Sequence, residues 1–180
     1  PTTRPIAFLA DTGDLFHSAV SDAFILETFE VMAYRESIDW VVLTKRPQRM
    51  AEVLAHAGHS YLADGTCAPN IWLGVSVENQ EAADTRLPIL AECWPGQKVV
   101  SVEPMLEQVT LMRWLHGPKW WVICGAESGP SRRPFEVAWA EDLHAQCQAA
   151  QALFFGKQDS GPGPGMPLLI NGEEIKQWPR

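Results

Sequence analysis

Three glutamates hold equivalent places in this sequence, since Glu78, Glu103 and Glu127 each follow a short apolar run. Carboxylates in such places can act as general acids or bases, accept hydrogen bonds from ligand hydroxyl or amino groups, or bind a metal ion. The structural alternative is that each glutamate caps a helix N-terminus or pairs with an arginine. No histidine accompanies the three glutamates, so we predict no metal site.

Two cations follow another apolar run, at Lys45 and Arg46. They can bind phosphate or carboxylate groups, with Arg46 offering a bidentate fork. The alternative is that they neutralise Asp14 or Glu78 in ion pairs. Lys157 follows the last apolar run and fits either arrangement.

Asp14 and His17 follow the first apolar run, and a histidine can transfer protons near neutral pH. The alternative for His17 is a structural role. The loop Gly125–Gly129 could approach a phosphate with its backbone N–H groups, or its glycines could simply allow a tight turn. It is not a Walker motif, because Gly-Lys-Ser/Thr is absent.

Six apolar runs position these polar residues, at 6–9, 40–43, 71–75, 98–102, 120–124 and 153–155. Short continuous runs rich in Val, Ile and Trp are typical of strands buried on both faces, and helix-like stretches separate most of them. In such β/α arrangements, ligands bind beyond the carboxyl ends of the strands. If parallel neighbours lie about 4.8 Å apart, the three glutamates crowd one rim, where like charges raise their pKa values or require a neighbouring cation.

The stretches between the runs carry helix signals. We predict a helix capped at Ser21-Asp22 with Phe24, Ile25, Phe29 and Met32 inward, one from Pro47, one from Gln80 that Pro88 interrupts, a short one at 112–115, and an amphipathic one over 137–150. These predictions rest on capping residues, proline positions and apolar spacing. We predict a β/α domain over 1–158, then a Gly/Pro loop and a hairpin-like tail over 159–180, where Asn171-Gly172 indicates a tight turn.

Composition narrows the function classes. The chain has 180 residues, a formal net charge of −8 and no apolar run near the length of about 20 residues that spans a membrane. The acidic balance does not support nucleic-acid binding. The four cysteines, at 67, 93, 124 and 147, are far apart and give no zinc or iron–sulfur signal, so we predict buried free thiols in a cytoplasmic protein.

Several motifs occur together in a specific order: Gly-Asp-Leu-Phe-His at 13–17, Leu-Thr-Lys-Arg-Pro at 43–47, Trp-Leu-Gly-Val-Ser-Val-Glu-Asn-Gln at 72–80, Ser-Val-Glu-Pro at 101–104, Gly-Ala-Glu-Ser-Gly at 125–129 with Arg133-Pro134, and Lys157-Gln158. This succession resembles a phage- and prophage-associated family of largely uncharacterised proteins, over almost the whole chain. Full-length members carry an N-terminal three-cysteine motif like that of radical S-adenosylmethionine enzymes. The resemblance implies a partial or open, TIM-like β/α barrel.

This chain departs from the family in two ways. The cysteine segment and its strand are absent, and Asp159 stands where the family has Trp after Lys-Gln. The chain therefore carries no cofactor motif, and S-adenosylmethionine with an iron–sulfur cluster fits only together with an N-terminal segment. The ligand-binding residues that the resemblance implies are Asp14, His17, Lys45, Arg46, Glu78, Asn79, Glu103, Glu127, Ser128, Lys157 and Gln158. It assigns none of them a catalytic role.

The leading hypothesis is a radical-S-adenosylmethionine-like enzyme domain without its cluster segment, with a small polar or anionic ligand at the rim. One alternative is a non-catalytic binding or assembly module of a mobile genetic element. Another is a cluster-free β/α-barrel enzyme that uses the rim glutamates directly. Because the strand at Ile6–Leu9 would leave an unpaired edge, we also expect a homo-oligomer or a partner chain there.

Overall fold

The structure is a computed structural model that describes residues 4–10, 12–56, 62–63 and 66–179. The strands are β1 (Ile6–Leu9), β2 (Asp39–Thr44), β3 (Leu62–Ala63), β4 (Thr66–Cys67), β5 (Ile71–Ser76), β6 (Gln97–Val102), β7 (Trp120–Gly125), β8 (Leu153–Gln158), β9 (Leu169–Ile170) and β10 (Glu173–Glu174). The helices are α1 (Asp22–Tyr34), α2 (Pro47–His56), α3 (Gln80–Cys93) and α4 (Val137–Ala150). No described helix is long and apolar enough to cross a membrane.

Six strands form one parallel sheet in the order β1-β2-β5-β6-β7-β8. The strands of this sheet follow one another in chain order. Between β2 and β5 the chain forms a separate small ribbon, in which β3 pairs with β4. All six predicted strands are present. The predicted fold class, an open β/α arrangement, is confirmed.

The central strands are buried along almost their whole length, as their continuous apolar runs predict. Gly74 of β5 shows how closely two of them approach. A Cβ on Gly74 would lie 2.2 Å from the carbonyl oxygen of Val99 in β6. Only glycine fits at this place in the sheet.

Contacts within the chain group into two compact units. The first unit comprises the described residues up to Val75 together with Arg86–Val99. The second unit comprises Ser76–Thr85 and Val100–Pro179. In the first unit, the Phe29 ring lies 6.3 Å from Phe16 and 6.1 Å from Trp94, measured between centroids, and these rings form part of its core.

Helix α1 of the first unit begins where the sequence predicts. The Ser21 side chain accepts a hydrogen bond from the Phe24 backbone N–H at 3.3 Å, as an N-cap does. Ile25, Phe29 and Met32 are buried, but Phe24 is 56% exposed, so its predicted inward position is wrong. Successive helical residues are about 100° apart, which places Phe24 outside the stripe that Ile25, Phe29 and Met32 form.

Two other predictions about helices are wrong. Helix α3 runs without interruption through Pro88, and the buried Leu87 and Leu90 on either side of the proline hold it by packing. Residues 112–115 form a turn rather than a helix.

Two glutamines bind the backbone just before this turn. Gln146 of α4 accepts from the Leu111 N–H at 2.7 Å and donates to the Val109 carbonyl at 2.9 Å. Gln80 accepts from the Thr110 N–H at 2.7 Å and donates to the Thr110 carbonyl at 3.3 Å. The two side-chain amides thus fix the backbone of residues 109–111.

The C-terminal part of the second unit lies along strand β8. The Gly156 N–H donates to the Ile175 carbonyl at 2.8 Å, and the Gln177 N–H donates to the Phe154 carbonyl at 2.9 Å. The Gln177 side-chain oxygen accepts from the Phe154 N–H at 2.8 Å. Before this segment, β9 and β10 join through Asn171 and Gly172, whose φ angles of 50° and 86° suit a tight hairpin turn.

Candidate functional site

In the first unit, Asp14 is fully occupied by hydrogen bonds. Its carboxylate accepts from the Phe16 N–H at 2.9 Å, the Thr44 hydroxyl at 2.8 Å and the Lys45 N–H at 3.4 Å. Arg46 completes the set with an ion pair at 2.5 Å. Of the two roles that the sequence left open for Arg46, the structure shows neutralisation of Asp14. This arrangement joins the turn after β1 to the end of β2.

His17 also has a local contact. Its Nδ1 accepts a hydrogen bond from the Ala19 N–H at 3.1 Å, and the residue is exposed. This bond stabilises the turn that leads into α1. Lys45 is exposed beside Arg46.

In the second unit, the segment after β6 brings the ends of several strands together. The Met105 N–H donates to the Gly125 carbonyl at 2.9 Å, and the Leu106 N–H donates to the Glu78 carbonyl at 3.0 Å. The backbone between Glu103 and Leu106 is therefore fixed on both sides, to the residues that follow β5 and to the end of β7. We call the resulting group of side chains the second-unit rim: Glu78, Ser101, Glu103, Glu127, Arg133 and Lys157.

Glu103 follows β6 and lies within this rim. Its Oε2 accepts from the Ser101 hydroxyl at 3.2 Å, and its Oε1 lies 3.2 Å from the Lys157 Nζ. The Glu103 side chain is 20% exposed, whereas that of Lys157 is 57% exposed. Gly125 makes room for the carboxylate, because a Cβ there would lie 2.8 Å from Glu103 Oε1.

Glu127 is closed by a bidentate ion pair with Arg133. The Arg133 Nε donates to Glu127 Oε2 at 2.9 Å, the Arg133 Nη2 bonds the other oxygen, and the Arg133 backbone N–H also donates to Oε2 at 2.9 Å. These bonds lower the pKa of Glu127 to about 2. Of the two outcomes expected for crowded carboxylates, Glu127 shows the neighbouring cation rather than a raised pKa.

Arg133 also feels Glu78. The hydrogen bond to Glu127 is the main reason that the pKa of Arg133 is raised, and the charge of Glu78 adds to it. Glu78 is half-buried and has contacts of its own. Two rim carboxylates thus have a cation partner, Glu127 with Arg133 and Glu103 with Lys157.

Three further predicted ligand residues serve the backbone. The Asn79 side chain accepts from the Ala82 N–H at 2.9 Å and caps α3. The Gln158 side chain donates to the Ala126 carbonyl at 2.9 Å. Ser128 forms an isolated β-bridge with Gly161. These contacts shape the loops after β5, β7 and β8.

Sequence reasoning did not assign Ser101 and Arg133 to the site. Ser101 is a small polar residue next to the end of an apolar run, and this break in the run was the available signal. Arg133 occurs in one of the motifs, but nothing local indicates that it pairs with Glu127. The loop between them must fold back before the pair forms.

The described cysteines do not fit an iron–sulfur cluster. Cys93 ends α3, whereas Cys124 and Cys147 are buried in β7 and α4. Burial raises the pKa of Cys93 to about 11 and that of Cys147 to about 12, and it raises that of Cys124 further. Cluster ligands are thiolates, which burial disfavours. Cys67 contributes no described side chain. No group of three His, Cys, Asp or Glu in the described part of the chain could hold a metal ion.

Comparison with known proteins identifies one family. The family model described as "Protein of unknown function (DUF5131)" matches residues 2–164. No curated protein and no solved structure matches the chain. Since the match covers most of the sequence, the chain belongs to the DUF5131 family.

Proposed function

We propose that this chain is the ligand-binding part of a β/α-barrel-type enzyme domain resembling the radical S-adenosylmethionine enzymes. Its second-unit rim binds a small polar ligand of the nucleoside type. Glu103 accepts hydrogen bonds from hydroxyl or amino groups of that ligand. Phage association belongs to this proposal, because it comes from the resemblance alone.

The proposal depends on the hydrogen-bond acceptor positions that the Glu103 carboxylate has left. An ionised carboxylate has about four acceptor positions, and Ser101 and Lys157 occupy two of them. Lys157 is itself largely exposed, so a ligand can approach the pair. Gly125 has no β-carbon and so leaves the space that Glu103 Oε1 occupies.

Glu127 supports binding rather than proton transfer. A general acid at neutral pH needs a raised pKa, whereas the Arg133 pair lowers that of Glu127 to about 2. Glu127 therefore stays ionised and holds Arg133 in place.

The experiment is calorimetric titration of the purified chain with adenosine and, separately, with S-adenosylmethionine. We expect saturable binding of at least one probe. Glu103→Gln should lower its affinity about tenfold while changing stability little, because one charge-assisted hydrogen bond is lost. The matched control is Glu136→Gln, since the Glu136 side chain caps nothing and is exposed.

Two results would overturn the proposal. One is the absence of binding by both probes. The other is equal affinity in wild type, Glu103→Gln and Glu136→Gln, which would place the ligand elsewhere.

A second candidate, a non-catalytic binding or assembly module, is favoured by the surface of the first unit. Helix α1 exposes Phe24, Val31 and Tyr34 at a spacing that puts them near one face. Among the described strands, β1 pairs only with β2. Light scattering should then show a dimer that Phe24→Ser with Tyr34→Ser dissociates, and a monomer at all tested concentrations would exclude self-assembly through this face.

A further inference from the structure

Arg132, in the loop after β7, is exposed but held in place. Its Nε donates to the Ser160 hydroxyl at 3.0 Å, and its Nη1 donates to the Gly129 carbonyl at 3.1 Å. Gly129 has a φ of 109°, a region that favours glycine. The acceptor carbonyl is thus presented by a backbone conformation that other residues rarely adopt.

The two loops that supply these acceptors are joined to each other. The Gly129 N–H donates to the Gly161 carbonyl at 2.9 Å, and Ser128 bridges to the same residue. Beyond them, the Asp159 N–H donates to the Met166 carbonyl at 2.8 Å. Arg132 is therefore fixed against a braced support.

The charge of Arg132 is not neutralised within the described chain. Arg132 forms no ion pair with any described residue, whereas its neighbour Arg133 is closed by Glu127. Two of its five N–H groups are used, so the others remain available in a planar fork. Such a fork matches a carboxylate or a phosphate.

We propose that Arg132 binds an anionic group, phosphate or carboxylate, of the ligand that occupies the second-unit rim. The position of this group rests on the proposed function, because Arg133, the next residue, belongs to the rim. Ser160 and Gly129 act as positioning residues that hold the guanidinium before the anion arrives. Orientation in advance reduces the entropy lost on binding.

The test is calorimetric titration with inorganic pyrophosphate and with citrate, at an ionic strength held constant with sodium chloride. We expect at least one anion to bind saturably, and the stronger of the two identifies phosphate or carboxylate as the preferred group. Arg132→Gln should weaken binding about tenfold or more. Ser160→Ala keeps the charge but removes one support, and it should weaken binding several-fold.

The matched control is Arg35→Gln. Arg35 is also exposed and forms no ion pair with a described residue, but none of its described bonds holds its side chain. Binding in this variant should equal wild type. Thermal unfolding of each variant shows whether it folds. Arg132→Lys, which retains the charge without the fork, tests whether anion binding needs the fork as well as the charge.

The inference is overturned if neither anion binds more tightly than chloride, or if Arg132→Gln and Arg35→Gln bind equally. Adenosine carries no anionic group, so its affinity should depend on Glu103 and not on Arg132. If Arg132→Gln does not weaken anion binding while adenosine still binds, this inference is rejected and the proposed function stands. If adenosine does not bind while Arg132→Gln still weakens anion binding, the proposed function is rejected and the anion site at Arg132 stands.

Discussion

The Glu103 carboxylate occupies the space beside Gly125 that a β-carbon at position 125 would fill. A Cβ on residue 125 would lie 2.8 Å from Glu103 Oε1, the same oxygen that contacts Lys157. The position of the rim carboxylate therefore depends on the absence of a side chain on β7. Glycine at this place is a requirement of the site and not only of the loop that follows.

Gly125→Ala should displace the Glu103 carboxylate from Lys157. Because the obstructed atom is the end of a side chain, we expect a modest loss of about 1 kcal/mol in the free energy of unfolding, together with weaker binding of adenosine. Urea unfolding and calorimetry check both. Gly163→Ala is the control, since nothing lies within 4 Å of its added Cβ. Equal behaviour of the two variants would contradict the contact.

Gly74→Ala should be far more destabilising. Its Cβ would meet the backbone carbonyl of Val99 at 2.2 Å, and a backbone cannot move aside without separating β5 from β6. We expect a loss of about 3 kcal/mol in the free energy of unfolding, at the upper end for overpacking. Urea denaturation measures it. A loss below about 0.5 kcal/mol, the range of ordinary surface changes, would refute this close approach.

Gln146→Ala should destabilise the segment 109–111 after β6. The Leu111 N–H and the Val109 carbonyl would each lose a partner, and a buried unsatisfied group costs about 1–3 kcal/mol. We expect a total near 2 kcal/mol or more in urea unfolding. The exposed Gln148 on the same helix supplies the control, Gln148→Ala. If both variants lose the same stability, the hydrogen bonds of the Gln146 side chain contribute nothing.

The Glu127–Arg133 pair predicts a specific pH dependence. The folded-state pKa of Glu127 is lowered from 4.5 to about 2, so the stabilisation is present above pH 4.5 and is lost as the pH falls towards 2. Carboxyl NMR titration should show Glu127 ionised at pH 3. Arg133→Gln should return its pKa towards the ordinary value. An unchanged titration in that variant would mean that another group holds the charge.

The buried His144 leads to a second predicted pH effect, which also lowers stability as the pH falls. Burial lowers the pKa of this histidine, which lies 5.0 Å from the Phe154 ring, so the folded state favours neutral imidazole. Stability should therefore fall as the pH drops below 6.5, because the unfolded chain binds the proton more readily. Thermal unfolding is measured from about pH 7.5 to about pH 5.5, on either side of the usual histidine pKa. The dependence of stability on pH should be weaker in His144→Phe than in wild type. The same substitution at the exposed His116 should leave the slope intact.

The sequence predicted the strands well because their signal is local. A run such as Trp120–Cys124 is apolar throughout, which is typical of a strand buried on both faces. Helix α4 was predicted with its observed bounds for a similar reason, since Leu143 and Cys147 mark its buried face. Helix α3 was misjudged because packing around Pro88 outweighs a local preference.

The partners of the candidate site carry no such local signal. Arg133 reaches Glu127 only after the loop between them turns back, and Arg46 reaches Asp14 across 32 positions of the chain. The sequence could present both roles for Arg46 but could not choose between them. Gln146 was missed altogether, because an amide that bonds a backbone 35 positions away looks like any surface glutamine.

The pairing of Ile175 and Gln177 with β8 also governs what this protein can do in a crowded solution. An unpaired strand edge is a template on which other chains can add and aggregate. Here the N–H groups of Phe154 and Gly156 are already bonded, so a foreign strand must first displace the segment. The Trp178 ring lies 4.5 Å from the Phe155 ring and opposes that displacement. A few residues near the C-terminus thus protect the β8 edge from pairing with other chains. Proteolytic removal of these residues would expose the edge and favour aggregation.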